Sequence, residues 1–205
     1  MSALVALLAG VACTAPVQET APAAAPVPTC RDVAGNVRTS DWRRVASDDD
    51  RARLRDWREA WTSAVAGEGG RTAADPALFA LDRSLDDALP PLGVYRCRTH
   101  RFGAAVQAMP SWGGCRIEED KGAARLVVED GAQRPVGHLY ADTASRAVFL
   151  GTVTIGDEAR PLRYGRDRLR DLAGFVERVE ERRWRIALPR PSFGGTLEII
   201  ELVPA

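Results

Sequence analysis

Lysine is almost missing from this chain of 205 residues, since Lys121 is the only one and arginine supplies the rest of the 28 basic side chains. The acidic side chains also number 28, so the formal net charge is zero. The whole-chain charge therefore gives no reason to expect nucleic acid as a partner. Histidine and cysteine are also scarce, with two and four copies. We accordingly expect no metal site and no cofactor.

Several motifs of catalysis are absent as well. The sequence contains neither a His-Glu-x-x-His zinc motif nor a glycine-rich phosphate loop. No serine or cysteine lies in the pattern of a nucleophile elbow. His100 and His138 could each act as a base, but neither has an evident nucleophile as partner. An enzyme that uses His100 or His138 is therefore the third of our functional hypotheses.

Long hydrophobic runs are limited to the N-terminus, where residues 2–12 read SALVALLAGVA and end at Cys13. This run is too short for a membrane-spanning helix, which needs about 20 residues. It matches the apolar region of a secretory signal, and the small residues Gly10 and Ala12 suit cleavage before Cys13. The arrangement resembles a bacterial lipoprotein signal, which predicts a lipidated Cys13 and a periplasmic protein. A buried N-terminal strand is the alternative.

The chain divides into three parts. Residues 1–13 form the predicted leader, and residues 14–38 a tether that contains four prolines between Thr14 and Thr29. Proline cannot donate a backbone hydrogen bond, so the tether is expected to be extended. Residues 39–204 form one globular domain, because 45% hydrophobic and 27% charged residues are typical of a folded protein.

The first part of the domain, residues 39–91, is predicted to be helical. Ser47 followed by three aspartates is a helix start, and Leu54, Trp57, Trp61 and Val65 form an apolar stripe that we interpret as core packing rather than a ligand face. Asp75-Pro76 marks a second start. Its stripe consists of Leu78, Leu81, Leu85 and Leu89.

From residue 92 onward, apolar residues recur at about every second position, which predicts strands, and glycine-containing turn signals lie between several of them. The predicted fold is α+β, with two N-terminal helices packed on an eight-stranded antiparallel meander that forms a barrel or a strongly curved sheet. The eight predicted strands are Gly93–Phe102, Cys115–Asp120, Arg125–Glu129, Val136–Ala141, Ala147–Thr154, Gly174–Glu180, Arg182–Leu188 and Thr196–Leu202.

Cys97 and Cys115 fall in the first two strands, and in an exported protein they are expected to form a disulfide. Two free buried thiols are the alternative. A simple hairpin would place Cys97 opposite a residue nearer Asp120, so a bridge would require the first strand to end earlier, with residues 100–112 as a loop.

A Pro-Ser-aromatic-Gly-Gly pattern occurs twice, at residues 110–114 and 191–195. The two copies lie in the first and seventh connections of the meander, which share one end of a barrel. We predict a site for a ligand or partner there, formed by Trp112, Phe193, Ser111 and Ser192. The alternative is that each ring only plugs the barrel.

The chain resembles the family called domain of unknown function 4893, found in Gram-negative bacteria. The segments that carry the resemblance are Pro91–Arg98, Arg182–Arg185, Leu188–Pro191 and Leu197–Leu202, together with Asp41-Trp42-Arg43 and the helix that begins at Asp48. The resemblance implies an exported or lipid-anchored envelope protein and no known activity. The β-rich part also resembles, in architecture only, lipocalin-like and periplasmic inhibitor barrels.

The leading functional hypothesis is a non-enzymatic envelope protein that binds a small apolar ligand or a protein partner at the barrel rim. The alternative is an inhibitor of an envelope hydrolase, such as a protease or lysozyme. A wide apolar lumen would favour the ligand, and a lumen filled by side chains would favour the partner. Contact with a membrane is expected only through the lipid anchor.

Overall fold

The structure is a computed structural model that describes residues 41–66, 68–103, 110–191, 193 and 195–205. The predicted leader, Cys13 and the whole predicted tether lie outside these residues. Within the described residues, five short helices precede the strands, and none of them is long and apolar enough to cross a membrane. The helices are α1 (Trp42–Val45), α2 (Asp48–Arg55), α3 (Trp57–Val65), α4 (Gly69–Ala74) and α5 (Pro76–Phe79).

Eight antiparallel strands follow and close into a barrel in sequence order, with β8 paired to β1. Closure leaves no free sheet edge at the seam between the first and last strands. The predicted α+β fold with N-terminal helices before an antiparallel meander is confirmed. The strands are β1 (Gly93–Phe102), β2 (Gly113–Asp120), β3 (Ala123–Val128), β4 (Gln133–Thr143), β5 (Arg146–Ile155), β6 (Asp171–Glu180), β7 (Arg183–Pro189) and β8 (Leu197–Pro204).

The first predicted helix is present as α2 and α3. Ser47 caps it as expected, because its hydroxyl accepts a hydrogen bond from the Asp50 backbone N–H at 3.1 Å. The helix is interrupted only at Asp56, whose N–H and C=O still bond to Ala52 and Ala60 across the break. Its apolar stripe is buried, so the interpretation as core packing is confirmed for the tryptophans.

The second predicted helix was wrong in its extent, because α5 ends at Phe79, Ala80 is extended, and the chain after it forms turns and a single bridge at Leu85. Arg185 explains the difference. Its fully buried guanidinium donates hydrogen bonds to the carbonyls of Leu78, Ala80, Leu81 and Arg83, at 2.7–3.3 Å. These tertiary partners satisfy the carbonyls that a helix would have bonded internally.

The barrel lumen is filled by side chains from all eight strands, which form one buried apolar cluster. Phe149 shows how tightly it is packed. A Cβ added to Gly137 or Gly151 would lie 2.7 or 2.5 Å from its ring, so only glycine leaves room for that ring across β4 and β5.

A second apolar cluster lies outside the barrel, where the helices pack onto the outer faces of β5–β8. We call this the covered half. On the other side, the outward side chains of β1, β2, β3 and the middle of β4 are mostly half-exposed or exposed, and we call this the uncovered face. Its members include Val94, Arg96, Arg98, Arg116, Glu118, Asp120, Arg125, Val127 and His138.

Candidate binding surface

The Cys97–Cys115 disulfide is present and joins β1 to β2. Cys97 lies opposite Gly113 and Cys115 opposite Tyr95, so the two cysteines are diagonal neighbours with Cα atoms 5.9 Å apart. The expectation that the first strand ends early was wrong, because β1 extends to Phe102 and only its pairing with β2 stops at Cys97. β2 pairs only with Gly93–Cys97, whereas the rest of β1 continues along β8 as far as Phe102.

Gly113 and Gly114 fix the start of β2 against the end of β3. A Cβ at Gly113 would lie 2.9 Å from the Asp130 Cβ, and one at Gly114 would lie 2.9 Å from the Glu129 carboxylate. The Gly114 N–H donates to Asp130 Oδ2 at 2.6 Å, and the Glu129 N–H donates to the Gly114 carbonyl at 3.0 Å. Trp112 is therefore presented from an anchored backbone.

Trp112 lies on the outer wall of the barrel, over the arginines of β1. The Arg98 and Arg96 guanidinium carbons are 4.4 and 5.1 Å from the centroid of its ring, within the range of cation–π contacts. The side chain is still 39% exposed, and Ser111 beside it is exposed. Trp112 therefore contacts two arginines and still leaves a large area open to solvent.

Arg96 and Arg98 differ in how their charge is balanced. Arg98 Nε donates to Glu201 Oε2 at 2.5 Å. Arg96 is exposed, and within the described residues it forms no ion pair. Val94, two residues before it on the same face of β1, is 67% exposed. We call Val94, Arg96, Arg98 and Trp112 the Trp112 surface.

Phe193 lies at the same end of the barrel but at a different height. Its connection between β7 and β8 is held to the end of β1, because the Thr196 N–H donates to the Phe102 carbonyl at 2.8 Å. Trp112 precedes Gly113, which lies opposite Cys97. Cys97 is five residues before Phe102 on β1, a distance of about 17 Å at 3.4 Å per residue. Phe193 is 55% exposed, so neither ring is buried in the lumen. Ser192 lies outside the described residues.

The two histidines each pair with a carboxylate. His100 is buried beneath Phe79, with Nε2 3.2 Å from Glu201 Oε2. His138 is half-exposed, with Nε2 3.0 Å from Asp120 Oδ2, and this hydrogen bond lowers the pKa of Asp120. In the part of the chain that the structure describes, neither ring nitrogen bonds to a serine, threonine or cysteine side chain.

Glu201 is the centre of a buried charge network that sequence reasoning missed. Burial by itself would raise its pKa, but hydrogen bonds from His100 and Arg98 and the charges of Arg183 and Arg98 lower the pKa to about 2. Arg183 also pairs with Asp75 at the start of α5. Glu201 therefore links β1, β7 and the helical segment. Nothing in a linear sequence brings together residues so far apart.

A second missed pair lies just inside the barrel mouth. Arg101 Nε donates to Glu198 Oε1 at 2.5 Å, and Arg101 also reaches Gln133 Oε1 at 3.1 Å. Burial raises the pKa of Glu198, which Arg101 only partly offsets. Within the described residues, no three His, Cys, Asp or Glu side chains converge as a metal site requires.

The comparisons with known proteins give one result. The sequence model of the family described as domain of unknown function 4893 matches residues 42–202. The chain belongs to this family. No curated protein and no solved structure matches the chain. Family membership agrees with the resemblance seen in the sequence, and it brings no activity with it.

Proposed function

We propose that this member of the family is an exported, non-enzymatic envelope protein that binds a protein partner through the Trp112 surface. The observation that carries the proposal is the Trp112 ring, which is 39% exposed and lies within cation–π distance of Arg96 and Arg98. Tryptophan and arginine are the residues most enriched at the energetic centres of protein interfaces.

The rigidity of the scaffold supports the same function. Trp112 precedes two glycines that are locked against Glu129 and Asp130, and the disulfide lies directly below it in the strand pair. A side chain that is already fixed before binding loses little conformational entropy when the partner arrives. The Trp112 surface is therefore preorganised for an interface.

The packed lumen favours a protein partner over a small apolar ligand. Lipocalin-like binding needs an internal cavity, whereas here large side chains such as Phe149 and Leu126 occupy the interior. The inhibitor hypothesis is the special case in which the partner is a protease or a lysozyme.

Export and lipidation remain part of the proposal. The disulfide supports export, because such bonds persist in oxidising compartments such as the periplasm. The apolar run before Cys13 supports a cleaved leader and an acylated Cys13. Anchoring there would keep the protein at a membrane of the envelope.

A site-specific crosslinking experiment tests the function. A photo-reactive amino acid is placed at Val94, within the surface, or at Val45 on α1 as a matched exposed position, and the full chain is illuminated in cells of the encoding organism. We expect one discrete adduct from position 94 and none of the same mass from position 45. Equal labelling from both positions, or none from position 94, would contradict the proposal.

The identity of the adduct separates the alternatives. A hydrolase whose activity falls when the purified protein is added would establish the inhibitor hypothesis. A partner without hydrolase activity would leave the general binding function. An adduct formed only with lipid would reject a protein partner.

A further inference from the structure

The connection between β5 and β6, residues 156–170, combines exposed leucines with a surplus of arginine. We call it the basic loop. Leu169 is 80% exposed, the most exposed of the large hydrophobic side chains among the described residues, and Leu162 is also exposed. Five arginines and three acidic residues lie in the loop: Arg160, Arg163, Arg166, Arg168 and Arg170, against Asp157, Glu158 and Asp167.

The arginines of the basic loop are unequally neutralised. Arg170 pairs with Glu158 at 2.6 Å, and Arg168 lies 3.6 Å from Asp49 with both side chains largely in solvent. Arg160, Arg163 and Arg166 form no ion pair with any residue that the structure describes. The loop therefore presents uncompensated positive charge around its leucines.

The backbone of the basic loop is held firmly from inside. Asp171 accepts hydrogen bonds from the Gly165 N–H at 3.0 and 3.1 Å. Tyr164 donates to Asp50 Oδ2 at 2.5 Å and thereby joins the loop to α2. The Val153 N–H donates to the Arg170 carbonyl at 3.0 Å. An anchored loop that still projects a leucine into solvent is not explained by core packing.

We propose that the basic loop docks on an anionic phospholipid surface, with Leu162 and Leu169 inserted between headgroups and the arginines beside the phosphates. Apolar insertion combined with attraction between basic side chains and anionic lipids is a general mode of peripheral membrane binding. Long arginine side chains can extend their guanidinium groups to phosphate level while a neighbouring leucine enters the acyl region.

The exposure of the leucines favours a lipid surface over an acidic protein. Leu169 is 80% exposed and Leu162 is also exposed, whereas the energetic centre of a protein interface is a well-packed, desolvated pocket. In addition, the β5–β6 connection lies half the barrel away from the β1–β2 connection that carries Trp112. A membrane contact at the basic loop would therefore leave the Trp112 surface free.

Vesicle binding tests this proposal independently of a protein partner. The full chain carries Cys13→Ser, so that it cannot be acylated, and all variants share the same N-terminus. The probes are vesicles of phosphatidylglycerol and phosphatidylethanolamine, and vesicles of phosphatidylcholine alone. We expect preferential binding to the anionic vesicles that weakens as salt is added.

Three variants locate the contact. Replacing Arg160, Arg163 and Arg166 by glutamine is expected to weaken binding to anionic vesicles roughly a hundredfold, at about fivefold per charge. Leu169→Ser is expected to weaken binding at least tenfold, because it removes the inserted side chain. The control replaces Arg44, Arg55 and Arg182, which are exposed outside both the basic loop and the Trp112 surface, by glutamine.

Each outcome decides the proposal. Losses confined to the basic-loop variants, with unchanged unfolding curves, would support it. No preference for anionic vesicles, an equal loss in the control, or full binding by Leu169→Ser would overturn it.

Discussion

The two sides of the barrel are built from the same antiparallel ladder but differ in what their outward side chains do. In the covered half, the outward positions are mostly apolar and receive the helices; the rings of Phe175 and Trp57, for example, have centroids 5.5 Å apart. Among the charged residues at these outward positions, Glu177, Arg185 and Glu201 are buried and paired. On the uncovered face the corresponding positions are mostly charged, with Val94 and Val127 as apolar members. The comparison separates a structural side from a side available for binding.

The burial pattern of the strands follows this division. β5 and β7 are buried on almost every residue, since one face meets the lumen and the other meets the helices. β3 alternates strictly between half-exposed and buried residues. Alternation is expected where only one face of an antiparallel sheet is covered.

The largest expected effect belongs to the covered half. Trp57→Ala should lower the free energy of unfolding by about 3–5 kcal/mol, because it removes a buried ring that packs on Trp61 and Phe175. Chemical denaturation followed by circular dichroism measures this change. An unchanged midpoint and slope would mean that the helices contribute little to the fold.

The next largest effect on stability is expected from the Cys97–Cys115 disulfide, which joins β1 to β2 beside Trp112. Replacing both Cys97 and Cys115 by serine should cost about 3 kcal/mol, because the unfolded chain regains the entropy of a closed loop. Denaturation of the oxidised wild type and of the variant measures the difference. Reductant should lower the free energy of unfolding of the wild type to about that of the variant and should not change that of the variant. A variant as stable as the oxidised wild type would contradict the prediction.

Acid should test the charge network that links the two halves. The pKa of Glu201 is lowered to about 2 in the folded protein, so its contribution is fully present above its unfolded pKa near 4.5 and is lost as the pH falls toward 2. Between pH 5 and pH 2 the wild type should therefore lose up to about 3 kcal/mol more than Glu201→Gln does. Unfolding free energies at both pH values measure the difference, and equal losses would show that Glu201 is not the group responsible.

Much of the fold could be predicted because its signals are local. Every strand was recognisable from alternating or continuous apolar residues, most of them bounded by a glycine turn, and the Cys97–Cys115 bridge followed from the position of both cysteines in the first two strands. The segment after Phe79 could not be predicted in the same way. Its leucine spacing is helical, but Arg185, more than a hundred residues later in the chain, donates hydrogen bonds to its carbonyls.

The candidate site was predictable only in part. The repeated Pro-Ser-aromatic-Gly-Gly pattern predicted one site that contains both Trp112 and Phe193; both rings are exposed, but they lie at different heights along β1. Their difference in height depends on β2 starting opposite Cys97 rather than opposite Phe102, which is a property of strand register. The support of Trp112 by Arg96 and Arg98 depends on the same register, so spacing along the sequence could not reveal it.

The smallest expected effect on stability belongs to Trp112, and it provides the most direct test of the binding function. Trp112→Ala should lower the free energy of unfolding by about 1–2 kcal/mol at most, because the ring is partly exposed and its main contacts are two cation–π pairs. The decisive measurement is the yield of the crosslinked adduct from position 94 in Trp112→Ala, in parallel with its unfolding midpoint. The account predicts a yield at least tenfold below that of the wild-type ring in a folded protein. An unchanged yield, or a loss that simply follows unfolding, would contradict it.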